Sequence, residues 1–128
     1  MFESSGSVVL LCRDLMATSI VSGAASQADL ILRTVTQGAQ LTDSTGPDDL
    51  ILIDLSTPGL DLKAVAVRLT GDQKQRAVVY GPHVHTSQFE AARSAGFATV
   101  IPRGQFLAEA AARLKQFADG SAAQSPDE

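Results

Sequence analysis

Asp49-Leu50-Ile51-Leu52-Ile53-Asp54-Leu55-Ser56-Thr57-Pro58-Gly59-Leu60-Asp61 is the stretch on which the reading of this chain turns. Four large apolar residues, Leu50 to Ile53, run without a polar break and end on a carboxylate. A strand with one wet face would alternate, so an unbroken run suits a strand covered on both faces, as in a parallel sheet. Pro58-Gly59 then signals a turn. Asp61 is placed to cap a helix through about Leu69, with Leu62, Val65, Ala66 and Leu69 on one face.

Working outward, the same pattern repeats. Val8-Val9-Leu10-Leu11-Cys12 is a second continuous apolar run. Asp14 after it can cap a helix from Leu15 to Gln27, on which Met16, Ile20 and Ala24 recur at helical spacing and Val21 and Ala25 widen the stripe. Leu30 to Val35 is a strand candidate. Residues 37–49 carry Gly38, Gly46 and Pro47, which leave room only for a short helix. Ala77 to Tyr80 is a fourth strand, closed by Gly81-Pro82. Ser87-Gln88-Phe89-Glu90 fits a capping box for a helix to about Ala95, with Gly96 as its stop. Thr99 to Ile101 is a fifth strand. The last helix, about Gln105 to Ala118, aligns Phe106, Ala110, Leu114 and Phe117, a stripe that reads with Phe89 as core. Residues 1–118 then form one domain, and the small, polar, acidic residues 119–128 are expected to be a disordered tail.

Strands and helices thus alternate about five times, and right-handed crossovers give a parallel sheet with helices on both faces. Chemistry in such sheets gathers at the carboxyl ends of the strands. That directs attention to Cys12–Asp14, Asp54–Pro58, Gly81–His85 and Pro102–Gly104.

Composition narrows the classes. The chain has 128 residues, 45% hydrophobic and 19% charged, an ordinary globular balance with room for one core. A formal net charge of −4 offers no basic field for nucleic acid or an anionic membrane. Cys12 is the single cysteine, which excludes an internal disulfide and fits a reducing compartment. Met1-Phe2-Glu3-Ser4 has no positive n-region, and the first apolar run stops at Arg13. The expectation is a cytoplasmic protein that meets neither membrane nor nucleic acid.

The segment Asp49 to Asp61 resembles the central signature of response-regulator receiver domains, whose third strand ends in a phospho-accepting aspartate followed by a Pro-Gly turn. Asp54, Pro58, Gly59 and Asp61 stand in register with it. Ala95-Gly96-Phe97-Ala98-Thr99-Val100-Ile101-Pro102-Arg103-Gly104 is similar to that family's Ala-Gly-Ala stretch, fifth strand and Lys-Pro. The resemblance covers roughly residues 7 to 118. It implies a flavodoxin-like, doubly wound α/β fold with strand order 2-1-3-4-5, and it puts Asp54 at the phospho-acceptor position.

The departures carry as much as the matches. The family holds Mg²⁺ between the acceptor and two acids after strand one, and this ion wants hard oxygen ligands in near-octahedral geometry. Here Cys12 and Arg13 occupy those positions, with Asp14 one residue on, so Mg²⁺ is not expected as a cofactor. The family's switch hydroxyl after strand four becomes Gly81. Its lysine after strand five becomes Arg103, which keeps the charge on a wider, planar fork. An Asp54 carboxylate buried without a metal is costly unless paired. Arg13 or Arg103 is the expected partner, and loss of either partner in such a buried pair costs about 3–5 kcal/mol.

The resulting expectation is a pseudo-receiver: not an enzyme, but a signalling or scaffold module of a two-component-type pathway that docks a protein, such as a histidine kinase or an output protein. Pro58, His83 and His85 are its loop and partner candidates, and no metal site is expected at the two histidines. By resemblance, a homodimer would use the helices over 87–95 and 105–118 and the strand between them. The alternative is a phosphoryl acceptor at Asp54 or, more remotely, a phosphocysteine carrier at Cys12, because Cys12 to Ser19 is faintly similar to the phosphocysteine loop of sugar phosphotransferase IIB domains.

Overall fold

The computed structural model describes residues 6–122. Five strands form one parallel sheet: β1 (Ser7–Leu11), β2 (Ile31–Val35), β3 (Leu50–Asp54), β4 (Val78–Gly81) and β5 (Thr99–Pro102), in the order β2-β1-β3-β4-β5. Among the described residues five helices connect them, α1 (Leu15–Gln27), α2 (Gly38–Ser44), α3 (Leu62–Val67), α4 (Gly71–Arg76) and α5 (Thr86–Ser94), and α6 (Arg103–Ala122) follows the last strand. The flavodoxin-like order expected from the sequence is the one observed.

The unbroken apolar runs are explained by their places in the sheet. β1 and β3 lie at its centre, and the period of two divides their side chains between two cores. Val8, Leu10, Leu50, Leu52, Val78 and Tyr80 pack with α1 and α6. Val9, Leu11, Ile51, Ile53 and Val79 pack with α2, α3 and α5 on the other face. The edge strand β2 is largely exposed and correspondingly more polar. β1 is flanked by β2 on one side and β3 on the other, so the connections leave it in opposite directions. That divergence opens a crevice beyond the carboxyl ends of β1 and β3.

Several local expectations need correction. On α1 the buried stripe is Ala17, Val21, Ala24 and Ala25, while Met16 and Ile20 face solvent. Small residues let the helix lie close to the sheet, and the larger ones are turned outward. α5 starts at Thr86 with His85 at the N-cap position, so Ser87 and Glu90 form no capping box there. The helix after Asp61 ends at Val67, and a second short helix, α4, follows. Thr70 accepts from the Gln73 backbone N–H while the Gln73 side chain accepts from the Thr70 N–H, a reciprocal box that restarts the helix. α6 begins at Arg103 and runs through Ala122, past residue 118; residues 123–128 of the expected tail lie outside the described residues. Phe89, Phe106 and Leu114 are buried as expected and Phe117 packs against the core, but Phe89 belongs to the opposite face of the sheet from the other three.

These caps make a discriminating prediction. Thr70→Ala should lower stability in urea unfolding by about 1 kcal/mol through loss of the α4 cap, whereas Ser87→Ala should stay within about 0.5 kcal/mol.

Candidate functional site

The crevice gathers Cys12 after β1, Asp14 at the start of α1, Asp54 at the end of β3, Tyr80 and Gly81 on β4, and Arg103 at the start of α6. Asp54 is only 4% exposed. Its Oδ1 accepts the Ser56 backbone N–H at 2.8 Å, and its Oδ2 lies 3.4 Å from the Cys12 sulfur, which can donate its S–H. The next residues are arranged by Asp54 as well. Its carbonyl accepts both the backbone N–H and, at 2.7 Å, the hydroxyl of buried Thr57. Thr57 to Leu60 then form a turn in which Gly59 takes φ +75°, a conformation open to glycine at little cost. Pro58 is exposed on that turn, and Asp61 caps α3 as expected.

The expected arginine pairing with Asp54 does not form. Arg103 pairs instead with Asp14. Asp14 also caps α1 by accepting the Met16 N–H at 3.0 Å, so its two oxygens are both engaged. The Arg103 guanidinium holds the Asp14 carboxyl below its ordinary range. The reason is positional: the N-terminus of α1 favours a carboxylate, and the start of α6 brings a cation beside it. Arg13 is exposed and has no ion-pair partner among the described residues. Asp54 is satisfied by uncharged donors.

Cys12 is buried and central to this arrangement. Its sulfur accepts the Asp14 N–H at 3.3 Å and lies 3.6 Å from the Asp14 carbonyl. Burial pushes the thiol pKa up, opposed by contact with Tyr80 and the Asp14 backbone. A protonated, buried thiol is a donor to Asp54 and a poor nucleophile.

Two residues to which the sequence assigns no role complete it. Tyr80 is paired in register with Asp54 and lies fully buried on the same face of the sheet. Its ring stacks on Phe106 of α6, with centroids 4.1 Å apart and planes 6° from parallel. Burial, then the Cys12 and Asp54 neighbours, drive its phenol pKa far upward, so it stays neutral; the hydroxyl makes no hydrogen bond of normal geometry among the described residues. Strand parity could have found this residue, since Val78 and Tyr80 must share a face. Leu55 is the other. A Cβ on Gly81 would stand 3.1 Å from the Leu55 Cβ. The space beside the end of β4 is therefore filled by a leucine.

His83 and His85 stand apart from this centre. Both are exposed in the loop before α5, where the His85 Nδ1 lies 3.0 Å from the Gln88 Oε1. Among the described residues no group of three or more His, Cys, Asp or Glu is arranged to hold a metal. The donor set of the crevice does not suit Mg²⁺ either. Asp14 is committed to Arg103 and Met16, Asp54 to Ser56 and Cys12, and the remaining donor is a soft sulfur.

Comparisons with known proteins bear on the architecture. No family model matches the chain, and no curated protein sequence does. Solved structures match well. A response-regulator receiver domain from Rhodospirillum rubrum is 15% identical with a TM-score of 0.67, covering 88% of this chain and 94% of that one. The phosphorylated cyanobacterial phytochrome response regulator RcpA is 15% identical with a TM-score of 0.68, over 94% of this chain and 96% of that one. The receiver domain of a Pseudomonas aeruginosa sensor histidine kinase, solved with magnesium in its active-site cleft, is 15% identical with a TM-score of 0.69, over 89% and 98%.

The chain has the fold of a response-regulator receiver domain.

Within this receiver fold, the crevice combines one buried carboxylate, one buried thiol, a stacked tyrosine and an ion pair at its rim. Chemically it can hold Asp54 in a single hydrogen-bonded state and join β1, β3 and α6.

Two measurements probe that description. The Asp14 and Arg103 side chains are each about one-third exposed, so Arg103→Ala should cost about 0.5–1 kcal/mol at neutral pH, well below the buried-pair value. Because the folded Asp14 pKa is lowered, this stabilisation is complete above the ordinary aspartate value of about 4 and is lost as pH falls through the folded value. The gap between wild type and Arg103→Ala in thermal unfolding should close in acid and narrow at high salt. Separately, Gly81→Thr should destabilise by about 1–3 kcal/mol through crowding against Leu55, and the same substitution should cost less in a Leu55→Ala background than in the wild type.

Proposed function

We propose that this chain is a pseudo-receiver, a cytoplasmic docking module of a two-component-type pathway that presents one fixed conformation to a protein partner. On this reading Asp54 is the phospho-acceptor position, with Gly81 and Arg103 at the switch and phosphate-contact positions, and Cys12, Arg13 and Asp14 replacing the acidic pocket. One observation carries it: Arg103 is paired with Asp14, the one acid that the segment after β1 offers to a metal. A single contact thereby removes both a phosphate-binding cation and a metal-binding carboxylate from Asp54. The thiol hydrogen bond from Cys12 keeps the acceptor oxygen occupied as well.

The partner side of the proposal rests on the surface. Pro58, His83 and His85 are exposed and remain the loop candidates for contact with a kinase or output protein. No described helix is long and apolar enough to cross a membrane, and the charge of −4 gives no reason to invoke nucleic acid. A homodimer through α5, β5 and α6 is the arrangement suggested by resemblance. The large apolar residues Phe89, Phe106 and Leu114 of that face are buried within the domain, which leaves charged Glu90 and Arg93 outward.

Acetyl phosphate with Mg²⁺, followed by intact-mass measurement, tests the proposal. The expected result is no phosphoryl adduct on the wild-type chain. An adduct lost in Asp54→Asn would establish a phospho-accepting receiver instead. One lost in Cys12→Ser would establish a thiol carrier.

A further inference from the structure

α1 is the one described helix with no charged residue, and it carries its bulkiest side chains outward. Leu15 is 84% exposed, Met16 61% and Ile20 38%. The rest of its outer face is small or neutral: Ser19, Ser22, Gly23, Ser26 and Gln27. The charges lie just beyond its ends. Arg13 precedes the helix and Asp29 follows it, both exposed and without an ion-pair partner among the described residues. Lys115, which lines the groove beside Asp29, is engaged with Asp119.

We propose that this face is the contact surface of a two-fold dimer of the chain, with two copies of α1 packed antiparallel. A two-fold axis at mid-helix brings Arg13 of each copy to Asp29 of the other. The same register sets Met16 against Ser26 of the second copy and Ser19 against Gly23, so bulk at one end meets small residues at the other. A Cβ at Gly23 meets nothing within 4 Å, which leaves room for close approach. Charge favours this occupant. Two chains of net charge −4 repel wherever their acidic surfaces meet; here an uncharged contact is flanked by two opposite-charge pairs, and the antiparallel helix dipoles agree. The arrangement is isologous and closed, as two-fold dimers are. It is independent of whether Asp54 accepts phosphate, and it differs from the α5–β5–α6 face.

One helix face falls short of the roughly 800 Å² per partner of a standard interface, so the dimer should be weak, with Kd in the micromolar range. Sedimentation equilibrium of the full chain from about 1 to about 500 µM should show a reversible monomer–dimer transition. Gly23→Arg, which the open space around Gly23 allows the fold to accept, should raise Kd by about tenfold or more. Arg13→Asp should raise it about fivefold, and adding Asp29→Lys should restore it. Circular dichroism on each variant confirms the fold. A monomer at every concentration overturns the proposal, as does a dimer indifferent to Gly23→Arg. Failure of the charge-reversed pair to rescue, with the fold intact, overturns the antiparallel register.

Discussion

The ion pair between Asp14 and Arg103 ties together two helix starts at the carboxyl edge of the sheet. It joins the start of α1, which follows the central strand β1, to the start of α6, which follows the edge strand β5. Asp14 is held at a helix N-terminus by a backbone N–H and faces the guanidinium with its other oxygen. A carboxylate committed in this way has little freedom to turn toward a third group. The guanidinium is likewise engaged by Asp14 and forms no ion pair with the buried Asp54 among the described residues. Electrostatics thus separates the crevice into a charged rim and an interior served by neutral donors.

Packing reinforces that separation. Tyr80 lies on the face shared with Asp54 and stacks on Phe106, so a movement of α6 would have to break an aromatic contact worth about 0.5–1.5 kcal/mol beyond its burial. On the other face, Leu55 fills the space that a side chain at residue 81 would need. Glycine there is a consequence of close approach rather than of backbone conformation, since its φ is not in the left-handed region. The glycine at 81 and the buried leucine at 55 are two sides of one packing solution.

The fold was legible because continuous apolar strands, turn glycines and helical stripes all pointed to one topology. β3 and α1 were bounded correctly from the sequence, and Asp14 and Asp61 were identified as caps. Thr70-Gly71-Asp72-Gln73 carries a capping-box signal that does start α4, while Ser87–Glu90 carries the same kind of signal and does not start a helix. A local motif competes with tertiary placement, and tertiary placement wins when the chain needs the helix earlier. Of the residues the sequence points to, contacts link Cys12 to Asp54 and Asp14 to Arg103, yet sequence cannot say which carboxylate an arginine meets across a gap of 89 residues. The preference for Asp14 comes from two helix starts lying side by side, which is a tertiary fact. The outward turn of Met16 and Ile20 was missed for a related reason: alanines at Ala17, Ala24 and Ala25 pack closer to a sheet than larger residues can.

On the proposed reading, these features bear on how the domain transmits information. A ligand or modification shifts an equilibrium only by its differential affinity for two states. In a switch, the second state is made accessible by a charge change at a site whose neighbours are free to rearrange. Here the neighbours are committed: the cation to Asp14, the Asp54 oxygens to Ser56 and Cys12, the tyrosine to Phe106. On the proposed reading, regulation then passes from chemistry at Asp54 to occupancy of a surface. The quantity that varies is the concentration of partner, or of the chain itself, rather than the conformation of the crevice. α1 is well suited to that role because its first turn is anchored by Asp14 while its outer face is free of charge. A rigid anchor beneath an uncharged face lowers the ordering cost of binding, and that is how a small contact becomes specific without becoming tight.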